Sequence, residues 1–187
     1  SSETSPTNAW PIPVTIQFDE AVSSFVIGDI TVGNGTSGNF VAVDGDTYTV
    51  DITPTAQGAV TVDVAASRCD DAAGNDNDAA TQFSITYDSV NPTLAITSSA
   101  ASPTNTSPVP VTFEFSQNVT GFVVGDITVG NGSAGNFVAV DGNTYTADIT
   151  PAGQGAVTVN VAASRCQDAA GNDNDAATQF SITYDSV

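Results

Sequence analysis

Residues 58–64 read Gly58-Ala59-Val60-Thr61-Val62-Asp63-Val64, and residues 155–161 read Gly155-Ala156-Val157-Thr158-Val159-Asn160-Val161. Valine at every second position, with Thr, Asp or Asn between, puts the apolar side chains on one face of an extended chain. That is the pattern of a half-buried antiparallel strand. The motif also returns after 97 residues. The same offset relates Ser5-Pro6-Thr7-Asn8 to Ser102-Pro103-Thr104-Asn105, and Tyr87-Asp88-Ser89-Val90 to Tyr184-Asp185-Ser186-Val187, with no insertion or deletion. A repeat of this length predicts two domains, 1–90 and 91–187.

Working outward, the other segments alternate in the same way. Ile12, Val14, Ile16 and Phe18 flank Thr15 and Gln17; Tyr48, Val50 and Ile52 flank Thr49 and Asp51; Phe83, Ile85 and Tyr87 flank Ser84 and Thr86. Turn residues separate them: Gly33-Asn34-Gly35, Asp44-Gly45-Asp46, residues 54–58 and residues 71–78. No helical periodicity outlasts a turn. In the second copy the pattern predicts seven strands, near 92–98, 109–116, 122–129, 136–140, 144–150, 155–163 and 178–185. The fold class is therefore all-β, a tandem of antiparallel sandwiches of about seven strands each.

Composition removes whole classes of function. Twenty-one acids face two basic residues, Arg68 and Arg165, and there is no Lys or His, for a formal charge of -19. Schiff-base and imidazole chemistry and His-ligated zinc are excluded. Two arginines cannot displace the counterions of a nucleic acid, and no apolar run is long enough to insert in a membrane. No enzyme is expected. Hydrophobic residues make up 40%, enough for a core, so the acidity does not imply disorder.

Phe122 to Val129 (FVVGDITV), Thr144-Tyr145-Thr146, Gly155-Ala156-Val157-Thr158-Val159, Asp168-Ala169-Ala170-Gly171-Asn172 and Tyr184-Asp185 resemble the bacterial immunoglobulin-like repeat domains of large surface proteins and adhesins. The resemblance covers both copies. It implies immunoglobulin-like sandwiches and an extracellular, cell-surface setting, with partners drawn from neighbouring repeats, other copies of the chain or surface glycans. The expected work is architectural: a stalk, spacer or filament-forming unit, with a glycan-binding adhesin module or an accessory domain of a secreted hydrolase as rivals. Fold alone does not choose among them.

The repeats are out of phase with the domains. Asn91-Pro92-Thr93-Leu94-Ala95-Ile96-Thr97 supplies a first strand to the second copy, whereas residue 1 already aligns with residue 98. Either two units come from a longer array in an awkward phase, or the first copy takes its strand from another chain by strand addition.

The acids invite a metal reading. In an up-and-down chain the loop between the last two strands lies beside the incoming linker, which would gather Asp88, Asp141, Asp168, Asp173 and Asp175 at the interdomain junction. Asp44, Asp71, Asp76 and Asp78 are the first-copy counterparts. Crowded carboxylates repel by about 1 kcal/mol per pair, and Ca²⁺, with six to eight oxygen ligands, would relieve this. The alternative is a solvated loop without an ion. Asp29 and Asp126, inside a predicted strand, read as structural acceptors for backbone N–H.

Cys69 and Cys166 are repeat equivalents, in phase with outward-facing Thr61 and Asp63. Too far apart for an intrachain bond in an end-to-end pair, they are either free thiols or an interchain disulfide. Asn34, Asn105, Asn118 and Asn131 stand in glycosylation sequons. Trp10 is expected to pack in the core or at an edge, the alternative being a sugar-stacking surface. Arg68 and Arg165 are expected to neutralise the acidic loops beside them.

Overall fold

The computed structural model describes residues 1–187 and divides them into two compact units, Ser1–Ser89 and Val90–Val187. Unit 1 contains β1 (Ile12–Gln17), β2 (Val22–Ser23), β3 (Ile30–Gly33), β4 (Gly35–Ala42), β5 (Thr47–Pro54), β6 (Gly58–Val64), β7 (Asp70–Asp71) and β8 (Phe83–Tyr87). Unit 2 contains β9 (Leu94–Ser98), β10 (Val109–Phe115), β11 (Ile127–Gly130), β12 (Gly132–Ala139), β13 (Thr144–Pro151), β14 (Gly155–Val161) and β15 (Phe180–Tyr184).

In unit 2 one antiparallel sheet has the order β12-β13-β10-β9 and the other β11-β14-β15. Naming the strands A to G in chain order, this is the four-plus-three division of an immunoglobulin constant-type sandwich. Unit 1 repeats it as β1-β5-β4 and β3-β6-β8, with a short β2-β7 pair. The first sheet of unit 1 has three strands where that of unit 2 has four, because no strand pairs with the outer edge of β1.

The alternation of the sequence becomes the alternation of burial. Val109, Val111, Phe113 and Phe115 of β10 face Tyr145, Ala147 and Ile149 of β13, and across the sandwich they meet Val157, Val159 and Val161 of β14. Burying each large aliphatic or aromatic side chain is worth about 1.5–3 kcal/mol. Phe115, Phe122, Phe137 and Tyr145 form edge-on and stacked pairs with centroids 5.1–5.9 Å apart, a geometry that adds to area burial. Phe18, Phe25, Phe40 and Tyr48 reproduce the cluster in unit 1.

Two segments differ from the sequence reading. Residues 122–126 are not a strand: Phe122 enters the core, then Val124–Asp126 form a 3-10 turn before β11 begins at Ile127. Asp126 Oδ2 accepts the Val123 N–H at 2.9 Å, as Asp29 accepts that of Val26 at 2.9 Å, so both acids are structural but in a turn. The fourth strand begins at Gly132, earlier than residue 136. Asn131 takes φ 56° between β11 and β12, and a Cβ on Gly132 would stand 2.7 Å from the Thr150 carbonyl oxygen, so the chain changes sheets where only glycine fits. Further along, Asn136 at φ 45° opens a bulge and donates Nδ2 to Asp148 Oδ2 at 2.8 Å. Asn39 and Asp51 do the same in unit 1.

Candidate functional site

The loops before the last strands, residues 167–179 and 70–82, hold most of the carboxylates expected to bind a metal. In unit 2 the pivot is Asp168. Its Oδ1 accepts the N–H groups of Ala170 and Asn172, both at 2.9 Å, and its Oδ2 accepts Asn172 Nδ2 at 2.9 Å and Gln117 Nε2 at 2.6 Å. Asn174, 1% exposed, is the second anchor: Oδ1 accepts the N–H of Arg165 (2.7 Å) and Cys166 (3.0 Å), while Nδ2 donates to the carbonyls of Ala162 (3.0 Å) and Asp175 (2.8 Å).

This loop meets the segment entering unit 2. The Asp175 N–H donates to the Pro92 carbonyl at 2.9 Å, and Asp175 Oδ1 accepts Asn91 Nδ2 at 2.9 Å. Gln117 Nε2 also donates to the Val90 carbonyl at 2.9 Å, and Ser116 Oγ accepts the Thr93 N–H at 3.0 Å. From there β9 pairs with β10, Leu94 opposite Phe115 and Ile96 opposite Phe113. The loop and the first strand thus close one end of the unit together.

Asp141 and Asp173 belong to the same end. Asp141 Oδ1 accepts the N–H of Asn143 (3.0 Å) and Thr144 (2.8 Å), which hold its carboxyl below the usual range. That turn touches the 115–119 connection through Phe115 N–H to Asn143 O and Val119 N–H to Gly142 O, each 2.9 Å. Asp173 Oδ1 accepts Gln167 Nε2 at 2.8 Å, and this bond, with one to Ser164, lowers its pKa. Each carboxylate is thus turned onto donors of its own neighbourhood, and no three Cys, Asp or Glu side chains stand close enough together to hold a metal ion. Asp88, in unit 1, donates its N–H to the Thr7 carbonyl at 2.9 Å.

Unit 1 has the same loop without the strand. Asp71 accepts the N–H of Ala73 and Asn75, each at 2.8 Å, and Asn75 Nδ2 at 2.7 Å; these bonds, those from Asn75 foremost, lower its pKa. Asn77 makes the four backbone bonds of Asn174. Asp44 accepts the N–H of Thr47 at 2.8 Å, and hydrogen bonding with Asp46, side chain before backbone, lowers it most. Asp70, where unit 2 has Gln167, lies beside Asp76: this neighbour raises the pKa of Asp70, while Ser67 and then Asp70 lower that of Asp76. Asp78 lies at the mouth of a groove of about 320 Å³ floored by Ile16, Phe18, Val22 and Val64.

Burial follows the difference. Phe113, Phe115, Val119, Asp168, Asn172 and Asn174 are all buried, whereas their counterparts Ile16, Phe18, Val22, Asp71, Asn75 and Asn77 are half-buried or exposed. The sequence carried a signal for this end: Asp19, Glu20, Asp46 and Asp70 become Ser116, Gln117, Asn143 and Gln167. All four replacements hydrogen-bond around the closed end of unit 2, Asn143 by donating to the Phe115 carbonyl at 3.0 Å.

A bacterial Ig-like domain model matches residues 1–87 and again 88–184. The chain belongs to that family. No curated protein matches it. Among solved structures, these bacterial Ig-like domains are similar to Yersinia pseudotuberculosis InvD (18% identity over 92% of this chain and 51% of that one, TM-score 0.40). They are also similar to the Bacteroides ovatus mixed-linkage glucan utilization locus SGBP-B in complex with a mixed-linkage heptasaccharide (14%, 94% and 41%, 0.30). The N-terminal part of the bacterial S-layer protein SbsC gives 15%, 97% and 43%, 0.34. The chain spans about half or less of each of these structures.

The remaining predicted residues divide. Cys69 and Cys166 do not face outward: both are free thiols inside their core clusters, 3% and 4% exposed. Ser67 and Ser164, at φ 57° and 58°, reset the strand alternation just before them. Burial raises both thiols, Cys166 to about 11, which favours the free-thiol reading of these two positions. Trp10 is 65% exposed and so lies outside the core. Asn105 and Asn118 are exposed; Asn34 and Asn131 donate their amides to the carbonyls of Ala56 and Gly153, each at 2.9 Å. Arg68 and Arg165 are exposed and give their backbone N–H to Asn77 and Asn174. No helix is long and apolar enough to cross a membrane.

Proposed function

We propose that the chain is a load-bearing structural segment, a stalk or spacer, of an extracellular bacterial surface protein. One observation carries this reading. In each unit the incoming segment lies parallel to the last strand, Thr7 beside Tyr87 and Thr104 beside Tyr184. In unit 1 the Thr7 N–H donates to the Thr86 carbonyl and the Asp88 N–H to the Thr7 carbonyl, both at 2.9 Å. In unit 2 the Thr104 N–H donates to Thr183 at 2.9 Å and the Asp185 N–H to Thr104 at 2.8 Å. Ser5 and Ser102 add hydroxyl acceptors for the Thr86 and Thr183 N–H groups, each at 3.0 Å. Tension along the chain pulls these parallel segments past each other, so the bonds must break together rather than one by one. Forced unfolding follows the height of that barrier.

Thr7→Pro and Thr104→Pro delete one N–H from each clamp. Pulling the full chain between its ends should show a markedly lower unfolding force for the altered unit, with only a modest fall in melting temperature. An unchanged force would refute load bearing through this contact. Calcium stiffening, inferred from charge, is a separable addition to this proposal, decided by the chelation test below. Exposed Trp10 favours a second reading, stacking on a surface glycan, which predicts glycan-array binding lost in Trp10→Ala.

A further inference from the structure

We propose that the outer edge of β4, and its repeat at β12, is a docking surface for an extended basic segment of a partner protein, one segment per unit. Apart from Trp10, Val90 and Val187, every large apolar side chain that stands exposed belongs to one of two sets. In unit 1 these are Val26, Ile27, Val41 and Val43, 38–59% exposed. Val123, Val124, Val138 and Val140 repeat the set 97 residues on. Single exposed valines are ordinary on a protein surface, whereas four gathered together, and gathered twice, mark a contact. The fold gathers them at strands that end their sheets, β1-β5-β4 in unit 1 and β12-β13-β10-β9 in unit 2. Val41 lies opposite Thr49, on the outer face of the sheet, and the Val43 N–H donates to the Thr47 carbonyl at 2.9 Å. The 3-10 turn Ile27–Asp29 packs against the same strand. Phe25, just before Val26, sets its ring edge-on to that of Phe40, just before Val41, with centroids 5.6 Å apart. Both rings turn into the core cluster, and the valine after each comes out. Phe122 and Phe137 do the same in unit 2 at 5.5 Å.

Charge chooses the occupant. Asp29, Asp44 and Asp51 flank the four side chains in unit 1, as Asp126, Asp141 and Asp148 do in unit 2. In unit 1 they accept hydrogen bonds from the Val26 N–H (2.9 Å), the Thr47 N–H (2.8 Å) and Asn39 Nδ2 (2.8 Å). These donors are neutral, so the carboxylate charges stand uncompensated. Lys and Arg lay their aliphatic stems on apolar surface and keep the cationic head at its rim. Valines flanked by carboxylates therefore fit both parts of a basic side chain, and the complementary charge also speeds the encounter. A second copy of this chain does not fit, because it would bring a charge of -19 against another of -19. Asn39, at φ 47°, opens a bulge in β4, and a bulge blunts an edge against plain strand pairing. Side chains, rather than a new ladder, must hold the partner. Two equal patches on one chain let a partner with two such segments bind with avidity. The inference goes beyond load bearing: it concerns β4 and β12, not the clamps at Thr7 and Thr104, and either can fail alone.

The probe is an end-capped peptide, Lys-Val-Lys-Thr-Lys-Val-Lys, added to the full 187-residue chain. It should bind once on each unit, shift the amide resonances of residues 40–43 and 137–140, and lose affinity as salt is raised. The same peptide with Ser in place of each Lys should not bind. Val41→Ser together with Val43→Ser, at exposed positions that leave the core intact, should weaken binding to unit 1 about tenfold and leave unit 2 unchanged. Asp51→Asn together with Asp148→Asn should weaken both sites several-fold. The proposal is overturned if the peptide shifts resonances elsewhere on the acidic surface and not these. It is overturned too if the serine variant binds as tightly as the original chain, which would leave only diffuse attraction to the net charge. Dimerisation through β4 by a chain that ignores the peptide would make a second copy the occupant and overturn it equally.

Discussion

Asn174→Ala and Asn77→Ala remove the same four bonds from two copies of one loop, so their difference isolates the effect of cover. In unit 2 the substitution orphans two N–H groups, of Arg165 and Cys166, and two carbonyls, of Ala162 and Asp175, at a site 1% exposed. A buried polar group left without a partner costs about 1–3 kcal/mol, and partial relaxation of the loop lowers the sum, so a loss of about 4 kcal/mol is expected. That is a large part of the roughly 5–15 kcal/mol that stabilises a domain. In unit 1 the partners are Arg68, Cys69, Ala65 and Asp78, but Asn77 is half-buried beside an open groove and water can take over its bonds. Each bond is then worth nearer 0.5 kcal/mol, for a loss of about 2 kcal/mol. Denaturant titration read by hydrogen exchange, peptide by peptide, assigns each midpoint to its unit. If Asn77→Ala destabilises unit 1 as much as Asn174→Ala destabilises unit 2, the account of cover is wrong.

Asp70→Gln should copy unit 2 by giving Asp76 an amide donor, as Gln167 gives Asp173. Because Asp70 is raised in the folded state, the native pair is least unfavourable at acid pH, and its repulsion grows as the pH rises through the raised pKa. The stabilisation by Asp70→Gln should therefore be full at pH 7 and vanish below the carboxylate range; a gain independent of pH would refute the repulsion between Asp70 and Asp76. Asp141 has the opposite sign. With its pKa lowered by turn N–H groups, its contribution is complete above the usual carboxylate range and lost as the pH falls through the lower folded value. Asp141→Asn should remove that part of the acid sensitivity, as seen in melting curves between pH 2 and pH 6. Calcium stiffening predicts that millimolar Ca²⁺ raises the melting temperatures by several degrees and that EDTA reverses the rise; a shift within a degree would rule the ion out.

The strands were legible because one face of each sheet is dry, and alternation such as Val157, Val159 and Val161 has no other simple cause. The repeat was legible as identity at a fixed offset. Residues 122–126 misled because the apolar run Phe122-Val123-Val124 leads into the alternating Ile127-Thr128-Val129, while Asp126 folds its own turn onto Val123. The two cysteines misled because phase was carried through Ser67 and Ser164, whose positive φ breaks it. Trp10 gave no sign of its exposure, since a single aromatic in a Pro-rich segment has no periodicity to place it. For the acids, charge counted carboxylates but not the N–H groups aimed at them; that information lies in turns such as residues 168–172. The exchanges of an acid for Ser116, Gln117, Asn143 and Gln167 were visible in the sequence and acquire meaning only beside β9.

Because both native sulfurs lie sealed within the sandwiches, with Cys166 raised to about 11, an exposed cysteine added anywhere on the surface would be the sole fast-reacting handle on the chain. Dyes, spin labels or tethers could then be attached one at a time without first stripping the protein of its own thiols.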